Sequence, residues 1–483
     1  MAKIKTIDFK KIKKVHFIGI GGSGMISLVN LLMEKGGMEI TGSDQKDFPL
    51  RKSLEKRGIK IFIGHRKENI QNPQLIIYSS SIPKDNIEIK EAKKRKIPII
   101  HRFDFLVKLL DDKKVIAVSG SHGKSTTTAM IGYLLESLKF NPTIYLGAKT
   151  KQWPLGSRWG KGEYAVIETD EHDASFLKVQ PYISVILNVD NDHLDPKGPF
   201  KGDFSCLKNA FFKFALKTKH KIIINNGDNF LKSFLNRREL KNKIFSFSLK
   251  PSKEGIFAKK IDIYPFNSDS KEFKIKSEIF YQKKKYQLNL KTINKINVIN
   301  ALAALSVLLE LSIPLEKGIK ILENFKGAKR RFELVYQNKV IVIDDYAHHP
   351  TELLSTLENI RTFFPQKRIF VVFEPHRYSR VFLLSKDFAK AFSLLKKNDY
   401  LFLLPIDSAN EINSFNASSE IIRNEIIKKN YLALNQVFLI DYPDLENKIF
   451  NLLKKEDVLI FIGPGKIANY VVYFIKKLKK NGY

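Results

Sequence analysis

The run VIAVSGSHGKSTTT (Val115–Thr128) leaves few folds open to this chain. An apolar strand ends in glycine, a short turn carries Gly-Lys-Ser, and a helix opens on three threonines. Such a turn is built to hold phosphate. Its amides and Lys124 cradle the β- and γ-phosphates of a nucleoside triphosphate, and the Ser125 hydroxyl is a ligand for Mg²⁺. Gly120, Ser121, His122, Gly123, Lys124, Ser125 and Thr126 are therefore the expected triphosphate contacts. The spacing is G-x-x-G-K-S, two residues shorter than the usual P-loop.

A second glycine turn precedes it. VHFIGIGGSGM (Val15–Met25) places G-x-G-x-x-G between a strand and a helix, and Asp44 follows 20 residues past Gly24. Glycines there let backbone amides approach a diphosphate at a helix N-terminus, and the acid takes a ribose hydroxyl. Any nucleotide diphosphate suits such a loop, so NAD is not implied.

Short apolar runs alternate with helical patterns along most of the chain, as at Leu75–Tyr78, Ile183–Leu187, Ile369–Phe373 and Val458–Ile462. This predicts α/β architecture with open, largely parallel sheets. The helical patterns include Thr126–Ser137 and Val298–Leu309. Residues 245–292 differ and read as short antiparallel strands. Breaks near Asp111–Lys114 and Gly327–Arg331 divide the chain into 1–110, 111–327 and 328–483.

A triphosphate site needs metal ligands at neighbouring strand ends. YAVIETDEHD (Tyr164–Asp173) ends one apolar run in acids, and Ile183–Leu187 leads into NVDNDHLD (Asn188–Asp195). Carboxylates neutralise Mg²⁺ on phosphates, and a neutral imidazole is a further ligand. Most of these acids read as solvated caps. Glu168 and His193, each just past a strand, are the expected metal ligands with Ser125, and Lys124, Glu168 and His193 the catalytic set.

Composition narrows the classes further. Lys and Arg number 83 against 50 Asp and Glu, a formal charge of +33. That balance suits nucleic acid, an anionic membrane or polyanionic substrates. The basic residues are spread over the chain, with no aromatic-interleaved patch of the kind nucleic acid requires. Cys206 is the single cysteine, which rules out an intrachain disulfide and fits a reducing compartment. The basic, then partly apolar N-terminus is interrupted by glycines, His16, Ser23, Ser27 and Asn30, so it does not read as a signal peptide. With no apolar run of about 18 residues, the expected location is cytoplasmic.

Taken together, GIGGSGM, SGSHGKSTTT, ETDEHDASF, NVDNDHLD, NVINALAA, GAKRRFE, DDYAHHPTE and EPHRYSR, in order from Gly19 to Arg380, resemble the Mur ligase superfamily, and GPGKI (Gly463–Ile467) extends the likeness. These are ATP-dependent amino-acid ligases of peptidoglycan precursor synthesis. The resemblance implies three domains: an N-terminal Rossmann-like domain for a UDP-sugar, a central P-loop-type ATPase domain with a small antiparallel sheet, and a C-terminal Rossmann-like domain for the amino acid. It implies that L-alanine is joined to the lactyl carboxylate of UDP-N-acetylmuramate through an acyl phosphate, with ATP and Mg²⁺. It further implies a monomer or weak homodimer, no nucleic acid and no membrane insertion.

Carried over motif by motif, the likeness gives Gly21, Gly22, Ser23, Asp44, Ser79 and Ser80 to the UDP part, and turns His122 toward the sugar-linked carboxylate. Asn297 and Asn300 match an adenine-contacting pair, and Arg331 and Asp345 match residues that meet ATP. Tyr346, His348, Arg377 and Arg380 match the amino-acid pocket, where arginines pin a carboxylate. The chain departs from the family at Ile296, where a histidine is usual, and at Glu374, where a glutamine is usual. Lys208 is the nearest candidate for the carbamylated lysine of some relatives and is left out of the catalytic set. The rival readings are a murein tripeptide ligase, which needs a roomier pocket, folylpolyglutamate synthase, which lacks the first glycine domain, and a basic NTP-driven nucleic-acid-binding protein.

Overall fold

The computed structural model describes residues 9–483 except 148–149, 172, 191–197, 253–254, 265–273, 293, 326, 328 and 410. Three sheets follow one another along the chain. The first holds five parallel strands, ordered Lys60–Ile63, Glu39–Asp44, Lys14–Ile18, Leu75–Tyr78 and Ile99–His101. The order reverses between Lys14–Ile18 and Leu75–Tyr78, and ligands of open α/β sheets bind at such a point. Gly19 and Ser79 lie on either side of it. Gly19 has a φ of 81°, and a Cβ there would come within 3.1 Å of Ile82 and 3.6 Å of Ser79 Cβ. The helix Ser23–Lys35 starts from this turn, with Met25 to Leu32 buried.

The second sheet is larger. Its ten strands run Lys284–Leu290, Lys274–Tyr281, Ile256–Tyr264, Ile244–Ser248, Lys221–Asn225, Ile183–Ile186, Lys114–Ser119, Tyr164–Glu168, Thr143–Tyr145 and Ser157–Arg158. Residues 245–292 therefore do not form a separate antiparallel sheet. Their strands extend the central one, and Ile244–Ser248 runs parallel to both Lys221–Asn225 and Ile256–Phe257. Helix Ile296–Glu310 packs over Ile244–Ser248, which buries Ser246, Phe247 and Ser248 together. Burial on that scale belongs to a covered parallel strand.

The third sheet is ordered Glu333–Gln337, Ile341–Asp345, Val458–Ile462, Ile369–Phe373, Tyr400–Leu403 and Val437–Leu439. Only its first pair is antiparallel. Helices Pro350–Phe363, Tyr378–Phe392 and Ser419–Lys428 pack together. Tyr442–Leu452 and Ile467–Lys480 share a separate core with the sheet through Leu445, Ile449, Val471 and Phe474.

The chain forms two compact units. The first takes Met1–Lys260, Ser277–Leu288 and Ile296–Ala328, and so holds the first sheet and most of the second; the other takes Ile261–Lys276, Asn289–Lys295 and Lys329–Tyr483. Within the first unit, helix Ser23–Lys35 joins the two sheets. Ser27 Oγ donates to Leu146 O at 2.9 Å, and Asn30 Nδ2 donates to Ser157 O at 3.1 Å. Among the described residues no helix is long and apolar enough to cross a membrane.

Candidate active site

The phosphate-type turn forms where the sequence places it. Strand Lys114–Ser119 ends at Gly120, whose φ is 137°, and helix Lys124–Ser137 begins after Gly123, which is left-handed at φ 85°. A Cβ at Gly123 would lie 2.7 Å from Asn300 Oδ1, and Asn300 Nδ2 donates to Asn297 Oδ1 at 3.2 Å. The asparagine pair thus stands against this turn, while Ile296 is partly exposed.

Lys124 is held by its own loop and by an acid. Its ammonium donates to Gly120 O at 2.7 Å, and to Glu171 Oε1 and Oε2 at 3.0 and 2.9 Å. Burial disfavours the ammonium's charge, but the Glu171 and Asp170 carboxylates outweigh it and hold the lysine above its usual range. Ser121 and Ser125 are buried. Asn188 braces His122 from both sides: its Oδ1 accepts from His122 N at 2.8 Å, and its Nδ2 donates to His122 O at 3.1 Å. Asp190 N donates to Ser121 Oγ at 2.9 Å.

Of the expected metal ligands, two meet. Ser125 Oγ donates to Glu168 Oε1 at 2.9 Å, and Gly147 N donates to Oε2 at 2.7 Å. A hydroxyl and a carboxylate side by side make a hard-oxygen donor set that fits Mg²⁺. His193 lies outside the described residues. Among the described residues no group of three or more His, Cys, Asp or Glu side chains is set to hold a metal ion, so the fit rests on Ser125 and Glu168. Lys208 Nζ sits 4.3 Å from the Phe204 ring centroid and 5.8 Å from that of Phe230.

The first sheet's reversal point carries the residues expected for a UDP group. Gly21 N donates to Asp44 Oδ2 at 2.8 Å. Gly22 and Ser23 are exposed at the helix mouth, and Ser79 and Ser81 share a 2.7 Å hydrogen bond. Ser80 belongs to a directional chain. His101 Nδ1 accepts from Phe103 N, so Nε2 carries the ring proton and donates to Ser80 Oγ at 2.9 Å. The Ser80 hydroxyl in turn donates to Asp173 Oδ2 at 2.7 Å. Burial pushes His101 down to about 4, keeping the ring neutral. Arg102, which no motif marks, donates to Tyr145 OH at 3.0 Å. A Cβ at Gly24 would lie 2.6 Å from its Nη1.

In the other unit, Tyr346 is walled by charge. The Arg330 and Arg331 guanidiniums lie 5.4 and 5.1 Å from its ring centroid. His348 meets it edge-on at 5.4 Å and approaches His376 at 5.6 Å. His376 Nδ1 lies 3.4 Å from Arg380 Nη1. Arg377 has a φ of 70° and reaches Glu411 Oε1 at 3.9 Å. Asp345 is buried, accepts from Thr356 Oγ1 at 2.6 Å, and is raised above the usual carboxylate range by burial. Tyr346, His348 and Arg380 are thus brought together. His376, Glu171, Asn188 and Arg102 join these clusters without having been assigned a role from sequence.

Comparison with known proteins follows the same order along the chain. The Mur ligase family catalytic domain matches residues 14–114, the Mur ligase middle domain 118–308, and the Mur ligase glutamate ligase domain 330–465. A UDP-N-acetylmuramate–L-alanine ligase of Sulfurihydrogenibium sp. (strain YO3AOP1) is 40% identical over 460 residues, spanning 95% of this chain and 96% of that one. One from Aquifex aeolicus (strain VF5) is 38% identical over 472 residues, spanning 97% and 98%. The structure of the Thermotoga maritima UDP-N-acetylmuramate–alanine ligase superposes with a TM-score of 0.81 at 27% identity, covering 97% of this chain and 99% of that one. A murein peptide ligase of Psychrobacter arcticus 273-4 reaches 0.68 at 22% identity, covering 96% and 98%, a likeness of fold alone.

Proposed function

The chain belongs to the Mur ligase family, and from that premise we propose its reaction: it is a ligase of peptidoglycan precursor synthesis that joins L-alanine to the lactyl carboxylate of UDP-N-acetylmuramate. The observation that carries this reading is the full-length identity of 38–40% to ligases of that name. The UDP-sugar is assigned to residues 1–110, ATP to 111–327 and L-alanine to 328–483. The location is cytoplasmic, where these soluble substrates are made available.

A carboxylate does not condense with an amine until one oxygen becomes a good leaving group. ATP phosphorylates the lactyl carboxylate, and the alanine amine attacks the acyl phosphate and expels phosphate. Negative charge builds on the phosphoryl group and then on the tetrahedral oxyanion. Lys124, aimed into its turn by Gly120 O and Glu171, supplies a fixed positive charge for that build-up. Ser125 and Glu168, with His193, would hold Mg²⁺, which neutralises phosphate charge when bound. Asn300, which stands against Gly123, and its hydrogen-bond partner Asn297 would take the nucleotide. Arg377 and Arg380 take the amino-acid carboxylate, and Tyr346 limits side-chain size.

The walled Tyr346 ring favours a small amino acid over the tripeptide of a murein peptide ligase. Phosphate release from ATP and Mg²⁺ with UDP-N-acetylmuramate tests both readings across L-alanine, glycine, L-serine, D-glutamate and the L-Ala–D-Glu–diaminopimelate tripeptide, with Lys124→Ala as control. Release that needs the UDP-sugar and peaks with L-alanine is expected. A response to tripeptide alone would move the protein to the second reading. Wild-type turnover in Lys124→Ala would remove the site assignment.

A further inference from the structure

In the third sheet the last strand, Val458–Ile462, returns to lie between Ile341–Asp345 and Ile369–Phe373, and the helices that follow it and Ile369–Phe373 lie in separate packing layers. An open α/β sheet takes ligand anions at such a mouth, on a glycine turn leading into a helix N-terminus. Here Gly463-Pro464-Gly465 forms the turn and Ile467–Lys480 the helix. The mouth is already filled by the Glu374 side chain, which is 2% exposed.

Three contacts fix that carboxylate. Ile467 N donates to Oε2 at 3.2 Å, and Tyr442 OH donates to Oε1 at 2.7 Å. The third is steric. A Cβ added at Gly465 would stand 2.6 Å from Glu374 Oε2 and 2.0 Å from Asp407 Oδ2, so the turn closes directly on the two acids. From here both groups of side chains around the Tyr346 ring can be reached. Along the chain, Glu374 leads into His376, Arg377 and Arg380, and Arg377 N and Asp407 N lock this segment to its neighbour at 2.8 Å each, through Asp407 O and Pro375 O. Across the turn, Gly463 O and Pro464 O accept from Arg330, whose guanidinium covers Tyr346.

We infer that Glu374 is a positioning residue for the amino acid: its carboxylate takes the anion place of this sheet and so sets His376–Arg380 and Arg330 around the substrate. Burial raises this carboxyl above its usual range, against the hydrogen bonds from Tyr442 and the Ile467 amide. Glutamine could still accept a hydrogen bond in this place, and alanine could not.

The inference rests on L-alanine binding in this unit, and the experiment separates the two. KM values for L-alanine, ATP and UDP-N-acetylmuramate are measured by phosphate release in the wild type, Glu374→Ala and Glu374→Gln, with and without added formate. Expected is a rise of about tenfold in the L-alanine KM of Glu374→Ala, with the other two KM values unchanged. Formate, small enough to refill the anion place, should recover part of the loss, and Glu374→Gln should stay near the wild type. An unchanged L-alanine KM in folded Glu374→Ala, or three KM values rising together, overturns the inference alone. If Glu374→Ala does not fold, Tyr442→Phe decides, with an L-alanine KM about threefold higher expected and an unchanged one overturning the proposal. A wild type that releases no phosphate with L-alanine overturns both the functional reading and this inference.

Discussion

Lys124 donates to both oxygens of Glu171, at 3.0 and 2.9 Å, and the acid is buried from solvent altogether. The lysine expected to meet phosphate is therefore held by a side chain that phosphate must displace or share. Burial pushes Glu171 up to about 7 against the pull of Lys124.

Lys124→Ala removes the charge that the phosphoryl transfer needs and leaves that acid without its cation. Turnover should fall by about a thousandfold or more. Stability at pH 8 should fall by about 3–5 kcal/mol, because the buried carboxylate loses its partner. With the lysine gone, protonation can neutralise Glu171, so the stability loss should shrink as pH falls. Thermal unfolding of the variant at pH 6 and pH 8 checks the sign.

Glu168→Gln keeps one acceptor oxygen for the Gly147 amide and turns an NH2 donor toward the Ser125 hydroxyl, and it discards the negative charge. Hard divalent cations depend on that charge. The Mg²⁺ concentration for half-maximal phosphate release should rise about tenfold or more, with the L-alanine KM unmoved. A Mg²⁺ titration of both proteins reads it directly.

Glu88 is buried completely beneath the first glycine turn. It accepts from Ser43 Oγ at 2.5 Å, Asn69 Nδ2 at 2.5 Å and Arg66 N at 3.2 Å, and His16 Nε2 lies 3.4 Å away. Ser43 in turn receives Gly19 N and Ile20 N on its carbonyl oxygen. Burial alone would raise this carboxyl, but hydrogen bonds from His16, His65, Ser43 and Asn69 hold it far below its usual range. Its contribution to stability is then present above pH 4.5 and is lost as pH falls below that value. Glu88→Ala strands several buried donors and should cost about 3–5 kcal/mol at neutral pH. Chemical denaturation measures it, and a raised KM for the UDP-sugar should accompany it.

The two glycine turns and the central strands were legible because each joins a local motif to a continuous apolar run. Glu39–Asp44 and Lys60–Ile63 were not singled out, since EITGSD and KIFI mix polar and apolar residues over few positions. Ile244–Ser248 looked antiparallel because its alternation of Phe and Ser imitates a half-buried strand, and the helix that covers it lies some fifty residues further on. Glu88 carries no motif, and within ETDEHDASF nothing sets Glu171 apart from the acids beside it. Each is one acid among fifty, and what distinguishes it is burial beside partners that only the folded chain supplies. The site residues Lys124, Ser125 and Glu168 could be named together because strand ends in one sheet converge, a rule that needs no distances.

His376 gives the pH dependence of the other unit. Burial, then the charges of His348, Arg380 and Arg377, push it down to about 3. The groups facing it are the His348 ring at 5.6 Å and Arg380 Nη1 at 3.4 Å, and its backbone bridges to Asp407. The folded chain therefore prefers the neutral ring, while the unfolded chain protonates near pH 6.5. Its share of stability is complete above pH 6.5 and drains away as pH falls from there toward 3. At pH 5 the loss should reach at most about 2 kcal/mol. His376→Gln cannot take the proton, so it should lose less stability than the wild type between pH 8 and pH 5. Unfolding midpoints of both proteins at the two pH values decide the matter: parallel declines would place the acid sensitivity elsewhere, and a flatter variant would locate it at this ring, between the arginines expected to hold the amino-acid carboxylate.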